Sequence, residues 1–241
     1  MSNKSFAYKR FAIVGAGLMG RMLAVALAQQ GAKVDLFDQS GPDAKQAAAR
    51  IAAAMLAPLA ESAITEDSVV RMGIHSLPRW KTFINQLSSP VFFQQDGTLI
   101  LWHRQDSNDA ERFTAHLKKN GLRNHQLAFP QILDRQAMMQ LEPSVADRFH
   151  QGLYLPNEGQ LDNRQLLDAL MKELELLSVD CHWYVEVDPE SLRDLSLYDQ
   201  VFDCRGVGAQ KAWSESKNAL RGVRGEVLRL YAPEVKLRRP T

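Results

Sequence analysis

Between Phe11 and Ser40 the chain reads FAIVGAGLMGRMLAVALAQQGAKVDLFDQS, a segment that leaves few folds open. Phe11 to Val14 predicts a buried strand, and LMGRMLAVALAQQ a helix with an apolar side of Met22, Leu23, Ala26 and Leu27, stopped at Gly31. KVDLFD predicts a second strand. In Gly15-x-Gly17-x-x-Gly20 the first glycine permits a tight turn, the second lets a pyrophosphate approach the backbone, and the third lets helix and strand pack closely. The helix start then offers unpaired N–H groups and a positive dipole end. Asp38 closes the second strand where an acid accepts hydrogen bonds from a ribose, and its charge disfavours the 2′-phosphate of NADP. The candidate dinucleotide residues here are Gly15, Ala16, Gly17, Leu18, Met19, Gly20, Asp38 and Gln39.

The same turn serves NAD or FAD, so the rest of the chain has to decide. A nicotinamide-binding domain calls for a third parallel strand soon after the second. Here an alanine-rich piece follows, DAKQAAARIAAAMLAPLAES, which favours helix until Pro58 interrupts it. A further helix is expected from about Thr65, its stripe running through Val69, Val70, Ile74, Leu77, Trp80, Phe83, Ile84 and Leu87, with a kink at Pro78. VFFQQDGTLILWH reads as a hairpin about Asp96-Gly97. SNDAERFTAHLKKNG reads as a helix from Ser107 that ends before Gly121. GLYLPNEGQLDN is strand and turn, and RQLLDALMKELELL an amphipathic helix on Leu166, Leu167, Leu170, Leu174 and Leu177. Strands follow at CHWYVEV and QVFDCRG, then an extended run at LRGVRGEVLRLYAP. A nucleotide domain interrupted by a second domain is the commoner plan of flavoproteins.

Composition excludes more than it selects. The 241 residues are 45% apolar, enough for a packed core, and 29 basic against 28 acidic side chains create no field that draws nucleic acid or an acidic membrane. No cleavable leader is expected from the residues at the start, and Leu18 to Ala28 is too short and too polar to cross a bilayer. Cys181 and Cys204 lie far apart outside any CxxC pattern, which suits reduced thiols of a cytoplasmic protein. The six histidines have no metal-ligand spacing, so no metal site is expected. The dispersed tryptophans read as core or interface residues.

GAGLMGRMLAVALAQQGAKVDLFD, AAAMLAPLAE, LPNEGQLDNRQLLDAL, VFDCRGVGA and LRGVRGEVLRL, in that order, resemble the FAD-dependent amino-acid oxidases of the D-amino-acid oxidase and glycine oxidase type, the latter acting in thiamine biosynthesis. The resemblance implies an α/β fold: a Rossmann-like FAD-binding domain over residues 1–82 and 150–220, interrupted by a smaller α+β substrate domain over 83–149 and 221–241. It implies that Ala54, Met55 and Leu56 run beside the flavin ring, that Val185 packs on the adenine, and that Cys204, Arg205 and Gly206 approach the cofactor a second time. Ala54 stands where a glycine is common, and Arg205 replaces a small residue.

The resemblance also implies that the family's C-terminal part is lacking. The side chains that hold the substrate carboxylate belong to that part, so no catalytic residue is assigned here. The run at Val227 to Tyr231 is expected to expose an unpaired strand edge, open to a complementing C-terminal partner or a second copy. The implied activity is oxidation of the amine of glycine or a D-amino acid to an imine, with oxygen as acceptor. The alternatives are a catalytically silent FAD-binding fragment or subunit, and an NAD-dependent dehydrogenase.

Overall fold

The computed structural model describes residues 6–214 and 219–241. Along the chain run β1 (Arg10–Val14), α1 (Leu18–Gln29), β2 (Lys33–Asp38), α2 (Ala48–Ile51), β3 (Met55–Leu56), α3 (Pro58–Glu61), α4 (Asp67–Asn85), β4 (Phe93–Gln94) and β5 (Thr98–Leu101). Then come α5 (Ser107–Arg123), β6 (Gln131–Asp134), α6 (Arg135–Leu141), β7 (Gln151–Leu155), β8 (Gly159–Leu161), α7 (Asn163–Leu176), β9 (Asp180–Trp183), α8 (Pro189–Asp194) and β10 (Gln200–Asp203). They form two compact units. The first takes the described residues up to Ala53, Leu87–Val91 and the described residues from Asn163 to Leu228; the second takes Ala54–Gln86, Phe92–Asp162 and Arg229–Thr241. Residues 54–82 and 150–162, expected with the nucleotide domain, fall in the second unit.

The first unit is built on a parallel sheet of order β10-β1-β2-β9. Its register pairs Val14 with Asp203 and with Phe37, and Asp38 with Trp183, so the carboxyl ends of the strands share one edge. Strand alternation sends Ala12 and Val14 into a cluster with Phe37, Leu192 and Val201, while Phe11 and Ile13 face the other way. Helix α1 packs against β1, β2 and α7, and Leu166, Leu167, Leu170 and Leu174 of α7 are fully buried. The inward face of α1 differs from the expected stripe: Gly20, Arg21, Ala24, Val25 and Leu27 are buried, whereas Ala26 is exposed. The close approach of Gly20 to the turn sets the helix rotation, and an arginine therefore enters the core.

The second unit holds two antiparallel sheets, β3-β8-β4 and β5-β7-β6. Leu59, Val70, Leu117, Leu127, Leu153 and Leu155 form one core cluster, and Leu99, Leu133, Met138 and Ala146 another. Four expectations are corrected here. The two runs about Gly97 do not pair with each other: β4 joins β8 and β5 joins β7, because the chain changes sheet at Gly97, whose N–H donates to the Glu158 carbonyl at 2.9 Å. Ahead of Pro58 the alanine-rich piece is helical only at α2, and Pro58 starts α3 instead of ending a helix, since its fixed φ and missing N–H suit a first turn. Helix α5 continues through Gly121 to Arg123, the glycine lying against Phe129. The run at Val227 to Tyr231 has no ladder partner among the described residues and forms no strand, leaving Leu228, Leu230 and Tyr231 exposed.

Glu158, between β7 and β8, is buried in this unit. Its Oε1 accepts from the Ala60 N–H at 2.8 Å, while Oε2 has no hydrogen-bond partner among the described residues. Burial, the largest cause, pushes its pKa from 4.5 up to about 7. Between these values the folded state keeps a proton that the unfolded chain has lost, so stability falls as pH rises toward 7. The fall is on the order of 3 kcal/mol. Glu158→Gln, permanently uncharged, is expected to lack this fall in urea unfolding at about pH 5 and about pH 8. An equal decline in both proteins would contradict the assignment.

Candidate active site

The site lies at the carboxyl edge of the parallel sheet, where a strand-to-helix turn in an open α/β fold presents its backbone to a ligand. Strand β1 ends at Val14, and Gly15 takes φ +103° while its N–H donates to the Phe37 carbonyl at 2.8 Å. A Cβ on Gly15 would stand 2.5 Å from the Cys204 carbonyl oxygen, and one on Gly20 1.8 Å from the Gly15 oxygen. Those two glycines are demanded by packing. Gly17 differs: a Cβ there meets only Ala47, at 3.9 Å. Its missing side chain leaves the mouth of α1 open to whatever approaches the backbone.

Two side chains hold the turn from behind. Asp38 Oδ2 accepts from the Ala16 N–H at 2.6 Å, and Oδ1 from the Ser40 N–H at 2.7 Å. The carboxylate thus fixes both the glycine turn and the loop after β2, with a lone-pair direction left on each oxygen. Arg21, fully buried, donates through Nε to the Ala16 carbonyl at 2.8 Å, through Nη1 to Leu167 at 3.0 Å and through Nη2 to Pro42 at 2.7 Å. On the far side, the Val185 N–H donates to the Asp38 carbonyl at 3.0 Å, and Cys204 N–H to Val14 at 2.7 Å. Asn163 donates to the carbonyls of Ala49 and Ala52, the latter at 2.6 Å, and anchors the segment around α2.

These elements enclose a cleft of about 470 Å³, within the range of small-molecule sites. Gly15, Ala16, Gly17, Leu18, Met19, Asp38, Gln39, Val185, Cys204, Arg205 and Gly206 all line it, while Gly20 sits behind the turn. Arg205 does not clash. It forms a two-pronged pair with Asp203, at 2.9 and 2.8 Å, which holds the Asp203 carboxyl below its usual range. Cys204 is half-buried and its thiol is pushed up by desolvation. Ala54, Met55 and Leu56 are not among the cleft residues; they belong to the second unit, where β3 pairs with β8. Ala54 has φ +58°, a left-handed backbone that costs a non-glycine residue about 1–2 kcal/mol and explains why glycine suits the position.

Sequence reasoning missed part of the lining. Ser40, Gly41, Ala44, Gln46 to Ala49, Glu186 and Val187 also face the cleft. The Gly41-Pro42-Asp43 run after β2 is the signal that could have marked a turn there. Arg21 was missed as well, because it sits inside an apolar run that reads as ordinary core.

Residues 10–241 match the family model described as DAO, FAD-dependent oxidoreductase. A curated relative from Rhizobium etli, provisionally named thiamine biosynthesis oxidoreductase ThiO, is 31% identical over 231 residues, spanning 96% of this chain and 63% of that protein. Glycine oxidase from Geobacillus kaustophilus superposes with a TM-score of 0.58 at 21% identity, covering 74% of this chain and 48% of that one. L-α-glycerophosphate oxidase from Mycoplasma pneumoniae, with FAD bound, gives a TM-score of 0.56 at 21% identity, over 74% of this chain and 45% of that one. The chain therefore spans less than two thirds of the length of each of these proteins.

Gly20 and Gly17 separate by experiment. Gly20→Ala drives a methyl into the Gly15 carbonyl and is expected to destabilise the first unit by more than about 3 kcal/mol. Gly17→Ala, with open space in front of it, costs less than about 1 kcal/mol. Thermal unfolding of the two variants beside the wild type checks the order; equal losses would refute the stated division of roles.

Proposed function

The chain belongs to the DAO family of FAD-dependent oxidoreductases, and on that premise we propose that its glycine-turn cleft takes the adenosine diphosphate half of FAD. One observation carries the reading: the middle glycine of the turn opens into a cleft at the start of α1, where unpaired N–H groups and the helix dipole favour a phosphate. The other lining residues fit the same group. Asp38 keeps acceptor capacity on both oxygens for ribose hydroxyls, Val185 and Val187 supply an apolar wall for the adenine, and the backbone at Cys204 to Gly206 gives a second approach. When bound, FAD supplies a two-electron acceptor for a hydride.

The substrate we propose is the amine of a small amino acid, glycine or a D-amino acid, which loses a hydride and a proton to become an imine. Oxygen is the proposed final acceptor, leaving as hydrogen peroxide. The glycine oxidase fold and the name of the Rhizobium relative support that class. Two free, half-buried cysteines fit a reducing compartment, so we place the protein in the cytoplasm. No helix among the described residues is long and apolar enough to cross a membrane.

A second reading is a FAD-binding part that acts only with a complementing chain or a second copy. It is favoured by the exposed apolar side chains Val223, Leu228, Leu230 and Tyr231, which a partner would cover.

Reconstitution of the purified chain with FAD, followed by visible spectroscopy, tests the binding site. Two flavin bands that survive gel filtration are expected. Gly17→Ala is expected to weaken FAD at least about tenfold, a loss of about 1.4 kcal/mol. Absence of flavin after reconstitution would overturn the reading. Glycine-dependent peroxide release by the flavin-loaded chain supports the oxidase; flavin bands without turnover support the second reading.

A further inference from the structure

Arg21 is a full positive charge buried in the first unit with no ion-pair partner among the described residues. Its three hydrogen-bond partners are neutral carbonyls, Ala16 in the glycine turn, Pro42 in the loop after β2 and Leu167 in α7, and its guanidinium lies over the Trp183 ring at 5.7 Å. Desolvation lowers its pKa, with Asp38 the largest opposing influence, yet a guanidinium stays charged at any ordinary pH. Among the described residues no acid pairs with it directly, although Asp38 acts on it through space and its two neutral amide partners leave that negative charge in place. Asp38 accepts from two backbone amides, and Asp168 pairs with Arg50 at 2.5 Å. A buried charge without a direct ion pair is costly, and packing alone would be met by methionine or leucine. The guanidinium belongs to the residue just past the last glycine of the turn, in a helix whose start is positive as well.

From this placement, and resting on the reading of the cleft given above, we propose that Arg21 is a positioning residue that makes the site select a diphosphate-bearing nucleotide over the bare nucleoside. Arg21 works from behind the turn. It pulls the Ala16 carbonyl back and adds a buried cation to the dipole end that the diphosphate neutralises. The diphosphate therefore adds a second anion, beside Asp38, to a buried cation that has no direct ion pair.

The test compares ADP with adenosine, by calorimetric titration of the 241-residue chain, for wild type, Arg21→Met and Arg21→Lys. Wild type is expected to prefer ADP. Arg21→Met is expected to lose at least about tenfold of that preference while its adenosine affinity stays within about threefold, and the salt dependence of ADP binding is expected to shrink. Arg21→Lys keeps the charge and loses the three-carbonyl fork, so it is expected to unfold at lower temperature but keep the preference within about threefold. Equal losses for ADP and adenosine in Arg21→Met would reduce Arg21 to a structural role and overturn the inference. If Arg21→Met fails to fold, a collapse of the preference in Arg21→Lys overturns it instead. A wild type that binds neither FAD nor ADP would strike the proposed function; a wild type that prefers ADP with unchanged variants would strike only this inference.

Discussion

Ala16 is gripped at both ends. Its N–H is held by Asp38 at 2.6 Å and its carbonyl by Arg21 at 2.8 Å, so the two peptide planes that meet at its Cα are fixed, one by an anion and the other by a cation. Everything at the cleft follows from that grip. The turn cannot relax, the first N–H groups of α1 stay aimed outward, and the loop after β2 is tied to the same two side chains through Ser40 and Pro42. A helix start alone attracts anions weakly; a helix start whose preceding peptide cannot rotate gains the preorganisation that binding rewards.

The parallel register is what brings these parts together. Pairing Val14 with Phe37 on one side and with Asp203 on the other sets the ends of three strands level, so that residues separated by 190 positions in the chain, such as Val14 and Cys204, meet by a 2.7 Å hydrogen bond. The second unit solves a different problem. Its two small antiparallel sheets exchange strands at a single corner, where Gly97 and Glu158 meet, and a buried carboxyl there makes its stability depend on pH.

The nucleotide half was legible because its demands are local and chemical. A turn that needs three glycines and a strand that ends in acid announce themselves in thirty residues, and Gly15, Gly17 and Asp38 stand where that reasoning puts them. Leu166, Leu167, Leu170 and Leu174 were equally plain, since a helical stripe of leucine can only be core. What escaped depended on tertiary competition. Alanine propensity favoured helix from 43 to 57, but Ala54 adopts a left-handed backbone and β3 pairs with β8, so pairing outweighed propensity. Asp96-Gly97 made a turn without making a hairpin, because each flanking run found a better partner elsewhere. Arg21 hid among Leu, Met and Ala because nothing local tells a buried, hydrogen-bonded arginine from an exposed one.

Backbone amide spectroscopy of the labelled chain during titration with ADP tests the central claim most directly. If the fixed turn cradles the diphosphate, the largest and earliest shifts fall on the amides of Gly17, Leu18 and Met19, with smaller ones at Ser40 and Val185. Shifts gathered in the antiparallel unit, or none at saturating ADP, would contradict it.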